Sequence, residues 1–137
     1  MSDYLELTLL DHLFRTATFA KPTVIKVALC TAATTDAQTG ATITEVANAG
    51  AYARTGPNPL DANWSAVGAA GLTDNVAAIT FPTATASWGT VTHIAIVDSA
   101  TFGAGNSWLH GALTTSKTVG NGDIFQFNAG ALDVTFA

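Results

Sequence analysis

Two histidines, His93 and His110, lie in segments that alternate like β-strands, with Asp98 and Asp123 nearby in sequence. If those strands pair, the imidazoles approach each other, and imidazole with carboxylate is a donor set for a divalent metal. Neither histidine has a second ligand at close spacing, so the pattern favours histidines hydrogen-bonded in or beside a core, and no metal site is expected. A hydrolase triad finds no support, because no G-x-S-x-G elbow occurs. Paired acids for glycoside hydrolysis are scarce: Glu6 and Glu45 are the only glutamates, and most aspartates stand beside turns where they cap backbone amides. The runs Gly103 to Asn106 and Gly120 to Asp123 lack the phosphate-loop patterns and open no helix, so they read as hairpin turns. Trp64, Trp88 and Trp108 could line a sugar-binding face, but in a small β-domain such mass goes into packing or interface anchors. The expectation is therefore no catalytic residue, no cofactor and no metal.

The elements that would position these groups are those of an all-β chain. From Thr90 to Val97 the residues alternate, with Val91, His93, Ala95 and Val97 on one face and Thr92, Ile94 and Ile96 on the other, which predicts a central strand covered on both sides. The preceding Phe81 to Gly89 is a turn-rich hinge, with Trp88-Gly89 as the packed corner. Ser107 to Thr114 pairs back in hairpin fashion, and Asn75 to Phe81, Ile124 to Phe127 and Leu132 to Phe136 are further strands. Val24 to Cys30 is the first strand, with Ile25, Val27 and Leu29 as its core face. This cadence predicts a single-domain antiparallel β-sandwich or Greek-key barrel. One N-terminal helix precedes it, from Asp3 to about Arg15, with Asp3 and Glu6 at capping-box spacing and Leu5, Leu9, His12 and Leu13 on one side. Residues 1–20 form the helix and its connector, and residues 24–137 form the β core, which carries long loops at 31–50 and 56–72. Within these, Ile43 and Val46 are placed to pin the first loop, and Ala51 to Arg54 reads as a short strand fragment.

Composition narrows the function further. The chain has 137 residues, 48% hydrophobic and 11% charged. That charge fraction is less than half the usual quarter of a soluble domain. Faces with so little charge are expected to be buried against neighbours. The net charge of −5 and five scattered basic residues argue against nucleic acid. Cys30, the sole cysteine, sits in an apolar run and reads as a buried thiol in a protein folded under reducing conditions. The acidic, charge-interrupted N-terminus is neither a signal peptide nor a membrane span, and no later stretch is apolar enough to span, so no membrane is expected as a partner.

The combination of the YLELTLLDHLFR helix, TVIKVALCTAATTDAQTG, GAYAR, ITFPTATASWGTVTHIAIVD and WLHGALTTSKTVGNGDIFQFNAGALDVTF resembles a family of small tailed-phage virion proteins, described as phage tail fibre proteins or as capsid fibre and decoration proteins. The similarity covers nearly the whole chain apart from Pro57 to Leu72. It implies a non-enzymatic particle component, located in the virion after synthesis in the host cytoplasm. A capsid cement or decoration protein is the first expectation, with the major capsid protein and copies of itself, a trimer included, as partners. A tail-associated fibre or receptor-binding module, touching a tail protein or a host surface glycan, is the alternative. The residues expected at interfaces are Leu10, Phe14, Ile43, Tyr52, Arg54 and Trp64, on the helix, the two long loops and the Ala51 to Arg54 fragment between them.

Overall fold

The computed structural model describes residues 1–68 and 70–135. The chain runs through α1 (Asp3–Phe14), β1 (Lys26–Cys30), β2 (Leu72–Thr73), β3 (Ile79–Thr80), β4 (Gly89–Val97), β5 (Ser107–Val119), β6 (Gln126–Phe127) and β7 (Val134–Thr135). The strands form three small antiparallel sheets: β1-β4-β5, β2-β7 and β3-β6. The chain is thus mostly strands with one N-terminal helix, and no closed barrel is formed among the described residues.

β4 is the central strand, flanked by β1 from Lys26↔Val97 to Cys30↔His93 and by β5 from Gly89↔Val119 to Val97↔Ser107. Its predicted alternation holds only in part. Val91 pairs with Lys117 while His93 pairs with Ala112, so Leu113 to Ser116 stand across from Thr92 in a bulge. A bulge reverses which face the following residues occupy. Val91 therefore packs in the main core with Ile94, whereas Ala95 and Val97 join Ala28, Cys30 and Ile43 in a second cluster. β1 is also covered on both faces, not on the Val27 and Leu29 face alone, because Ala28 and Cys30 pack in the second cluster.

The main core is held by an aromatic series. Tyr52 lies parallel to Phe81 at 6.4 Å, Phe81 meets Phe125 edge-on at 5.7 Å, and Phe125 meets Phe127 at 5.3 Å. These contacts reach the short β3 and β6, which are smaller than the strands expected at Asn75 to Phe81 and Ile124 to Phe127. The reason is local. The fully buried Asn75 side chain donates to the carbonyls of Ala77 and Asn128 and accepts from the Leu132 N–H, satisfying backbone groups that a ladder would otherwise pair. Ala51 to Arg54 forms no strand, and only Thr55 bridges to Val27. β5 runs on to Val119, past the expected end at Thr114. Of the expected last strand, Val134–Thr135 is present, and Phe136 lies outside the described residues.

The helix begins at Asp3 as expected, but the residue that caps it is the one before. Ser2, not Asp3, is the N-cap: its hydroxyl accepts from Leu5 N at 3.4 Å and is shared between the carbonyls of Ser107 and Trp108. A serine there serves the helix and the sheet at once. Of the inner residues expected to share a side, only Leu5 is buried.

Trp88 closes the corner before β4. It is 5% exposed, its Nε1 donates to the Gly50 carbonyl at 2.8 Å, and its ring meets Tyr52 edge-on at 5.3 Å. The Gly50-Ala51 turn that receives it has φ of 60° and 64°, so the chain accepts a left-handed alanine to bring that carbonyl into place. Trp88→Ala is expected to cost about 3–5 kcal/mol, through lost burial and the cavity left behind. Urea denaturation monitored by circular dichroism reads this directly, and a loss under about 1 kcal/mol would remove Trp88 from the core.

Candidate interaction surface

The most demanding side-chain arrangement lies inside the chain. Arg54 and Glu45 form an ion pair at 2.8 Å with side chains 0% and 2% exposed. Arg54 Nε and Nη2 donate to Glu45 at 2.9 and 2.8 Å, Nη1 donates to the carbonyls of Thr101 and Ala104 at 2.8 Å and Ser99 at 3.2 Å, and Nη2 also reaches the Gly40 carbonyl. Tyr52 donates its hydroxyl to Glu45 at 2.7 Å and accepts from the Leu29 N–H at 2.9 Å, which ties the cluster to β1. A guanidinium offers five fixed donors, and here it satisfies carbonyls of two loops that have no ladder partner. Burial, with the Glu45 carboxylate beside it, pushes the Tyr52 hydroxyl far above its ordinary range. Burial likewise raises the Cys30 thiol to about 11, so it stays protonated.

The histidines are not brought to a common ligand. His93 and His110 occupy neighbouring strands two residues out of register. His93 Nδ1 shares a hydrogen bond with Thr92 at 2.8 Å, and His110 Nε2 meets Asp36 at 2.9 Å. Asp98 is spent on Asn106, accepting from its N–H at 2.6 Å and its amide at 2.8 Å, and Asp123 accepts from Gly120 N at 2.8 Å. Among the described residues no cluster of three or more His, Cys, Asp or Glu could hold a metal.

The six residues expected at interfaces separate into two groups. Ile43, Tyr52 and Arg54 are buried, with their side chains committed to contacts within the chain, so they offer no outward surface. Leu10 and Phe14 are 54% and 79% exposed. Trp64 is half-buried at a groove edge. Sequence reasoning missed Leu7 and Leu13, 65% and 68% exposed, and Leu60 and Val67 in the second long loop. The signal was present: Leu7, Leu10 and Phe14 fall at i, i+3 and i+7, a second apolar stripe on the far side of α1 from Leu5 and Leu9.

Beneath the inner face of α1 lies a groove of about 820 Å³, lined by Leu5, Leu9, Phe19, Trp64, Val67 and Trp108 among others. Trp108 is its anchor, meeting Tyr4 at 5.4 Å and Phe19 at 5.7 Å, both edge-on. The connector folds back onto the helix where Phe19 N donates to His12 Nδ1 at 3.2 Å. The indole N–H groups of Trp64 and Trp108 are buried without a partner, so they are closed off rather than presented to a hydroxylated ligand. The groove is an apolar receptacle with a sparse polar rim.

A family model described as "Podophage GP4 fiber I protein gp80" matches residues 1–135. No curated protein is matched by the chain.

Two outcomes follow from the buried cluster. Arg54→Met leaves the Glu45 carboxylate buried and unpaired, which is expected to cost about 3–5 kcal/mol in chemical denaturation. The double variant Glu45→Gln/Arg54→Met is expected to recover part of that loss. The Cys30 thiol and the Tyr52 hydroxyl both keep their protons to higher pH in the folded chain than in the unfolded one. The Cys30 contribution is therefore complete below the ordinary thiol range near 9 and is lost as pH rises toward 11, and the Tyr52 contribution begins to fall near the ordinary phenol value of 10 and goes on falling above it. Melting temperature is expected to fall across that window, and to fall less in a Cys30→Ala variant.

Proposed function

The chain belongs to the family of the podophage GP4 fiber I protein gp80, and we propose that it serves as a structural module of the tail fibre, held to neighbouring virion proteins through the outward face of α1. The family is one of phage fibre proteins, so the chain is a virion component and not an enzyme. The match over residues 1–135 carries the reading, because a fibre description favours the tail over the capsid shell. The surface supports it. Leu7, Leu10, Leu13 and Phe14 are exposed together on one short helix, and contiguous apolar patches on small proteins mark contact sites. Leu10 and Phe14 are the interface residues on this reading, while Ile43, Tyr52 and Arg54 are committed to contacts within the chain.

A capsid cement protein braced against the major capsid protein is the competing placement. A glycan contact has less support, since the groove lining is mainly apolar and its two indole N–H groups are enclosed.

Gold-labelled antibody on intact particles, with copy counting by quantitative mass spectrometry, separates the placements. Label at the tail with a small copy number per particle is the expected result. Label spread over the head, at a copy number near that of the major capsid protein, would overturn the fibre placement.

A further inference from the structure

We propose that the outward stripe of α1 in one copy seats in the groove beneath α1 of a second copy, so that the chain associates with itself head to tail. This rests on the fibre reading in that it names the occupant for the same helix face. Leu7, Leu10 and Phe14 have the i, i+3, i+7 spacing with which an amphipathic helix enters an apolar groove. The groove, at about 820 Å³, is large enough to take such side chains, and its lining matches them in chemistry.

A chain cannot fill its own groove with its own stripe. Leu5 and Leu9, on the inner side of α1, form one wall, and the stripe lies on the opposite side of the same helix. Stripe and groove therefore face different directions on one molecule, and their union is heterologous. Such a contact closes into a ring or continues as a filament, according to the rotation it imposes.

Charge selects this arrangement over helix against helix. Asp3 and Glu6 stand one turn before Leu7 and Leu10, and Arg15, the basic residue at the helix end, is already paired with Asp11 at 3.3 Å. Two stripes packed face to face would bring the acids of both copies together in chains of net charge −5. The charged residues of the groove lining are one base and one acid, Lys21 and Asp61, both exposed, so the groove carries no net charge to repel the acids at the head of the helix. Seating in the groove therefore avoids the meeting of like charges that two facing stripes would impose.

Sedimentation velocity on the purified full chain tests the inference with two surface variants. Phe14→Asp damages the stripe and Val67→Asp the groove lip, at positions 79% and 71% exposed, so both are expected to keep the wild-type melting temperature. The wild type is expected to grow past the dimer as concentration rises, and each variant alone to remain monomeric. An equimolar mixture should then form a one-to-one dimer and nothing larger, since one copy supplies the only intact stripe and the other the only intact groove.

A wild type that stays monomeric across the series would overturn the proposal, as would a mixture that stays monomeric. Val67→Asp associating like the wild type while Phe14→Asp does not would replace it with stripe-to-stripe packing. Particle labelling reads location independently of self-association, so tail label with a monomeric chain removes this inference and leaves the fibre reading standing. Association of the pure chain with label on the head does the reverse.

Discussion

A guanidinium with no exposed surface must be fully bonded or it cannot stay folded away, and Arg54 meets that condition through Glu45 and the carbonyls of Gly40, Ser99, Thr101 and Ala104. Those carbonyls belong to two loops separated by more than half the sheet's sequence. Without Arg54 they would have to face water or go unpaired, at a cost of about 1–3 kcal/mol each. A buried ion pair is weak evidence for net stability, because desolvation offsets most of the attraction. Its consequence here is one of placement: any other arrangement of the loops leaves a bare charge inside.

That placement passes into the sheet through Tyr52. Its hydroxyl joins Glu45 to the Leu29 N–H, while its ring lies parallel to Phe81 and receives the edge of Trp88. One side chain thus connects the polar cluster to β1 and to the aromatic series that continues through Phe125 to Phe127. The small β2-β7 and β3-β6 sheets need this connection. Two-residue pairings are too short to be stable alone, so they persist because their flanking residues are packed in a core whose geometry is set elsewhere.

What was legible in the sequence follows from range. The β4 segment could be read because apolar alternation is local, and the glycine turns because left-handed backbone is local as well, as at Gly103, Gly105 and Gly122. The bulge opposite Thr92 could not be read, since it depends on which residues of β5 happen to face it. The burial of Arg54 is not legible in the sequence, since basic side chains seldom lie fully inside and nothing in a loop without periodicity marks Glu45 as its partner. Asn75 belongs to the same class: a residue depleted in strands that replaces ladder bonds with its own amide, and so shortens the strand predicted around it. The surface was more legible than it first looked. The stripe at Leu7, Leu10 and Phe14 is as periodic as the inner face, but two apolar faces on one helix blur into a single wide arc.

The manner in which α1 is attached gives that second stripe its importance. Its first turn is fixed by backbone and hydroxyl bonds: Ser2 N and Oγ to the start of β5, and Asp3 N to the Asp36 carbonyl at 3.0 Å. Its last turn has only the His12 contact with Phe19 and the exposed Asp11 to Arg15 pair. Exposed ion pairs contribute little. A helix anchored at one end and apolar on both sides gains little in folding from its outer leucines, since Leu7 and Leu10 keep more than half of their surface exposed. Exposed apolar surface in a chain with 11% charged residues is the kind that contact with a partner covers, which is what the proposed interface supplies. The inner face answers to the fold, and on the proposed reading the outer face answers to the assembly.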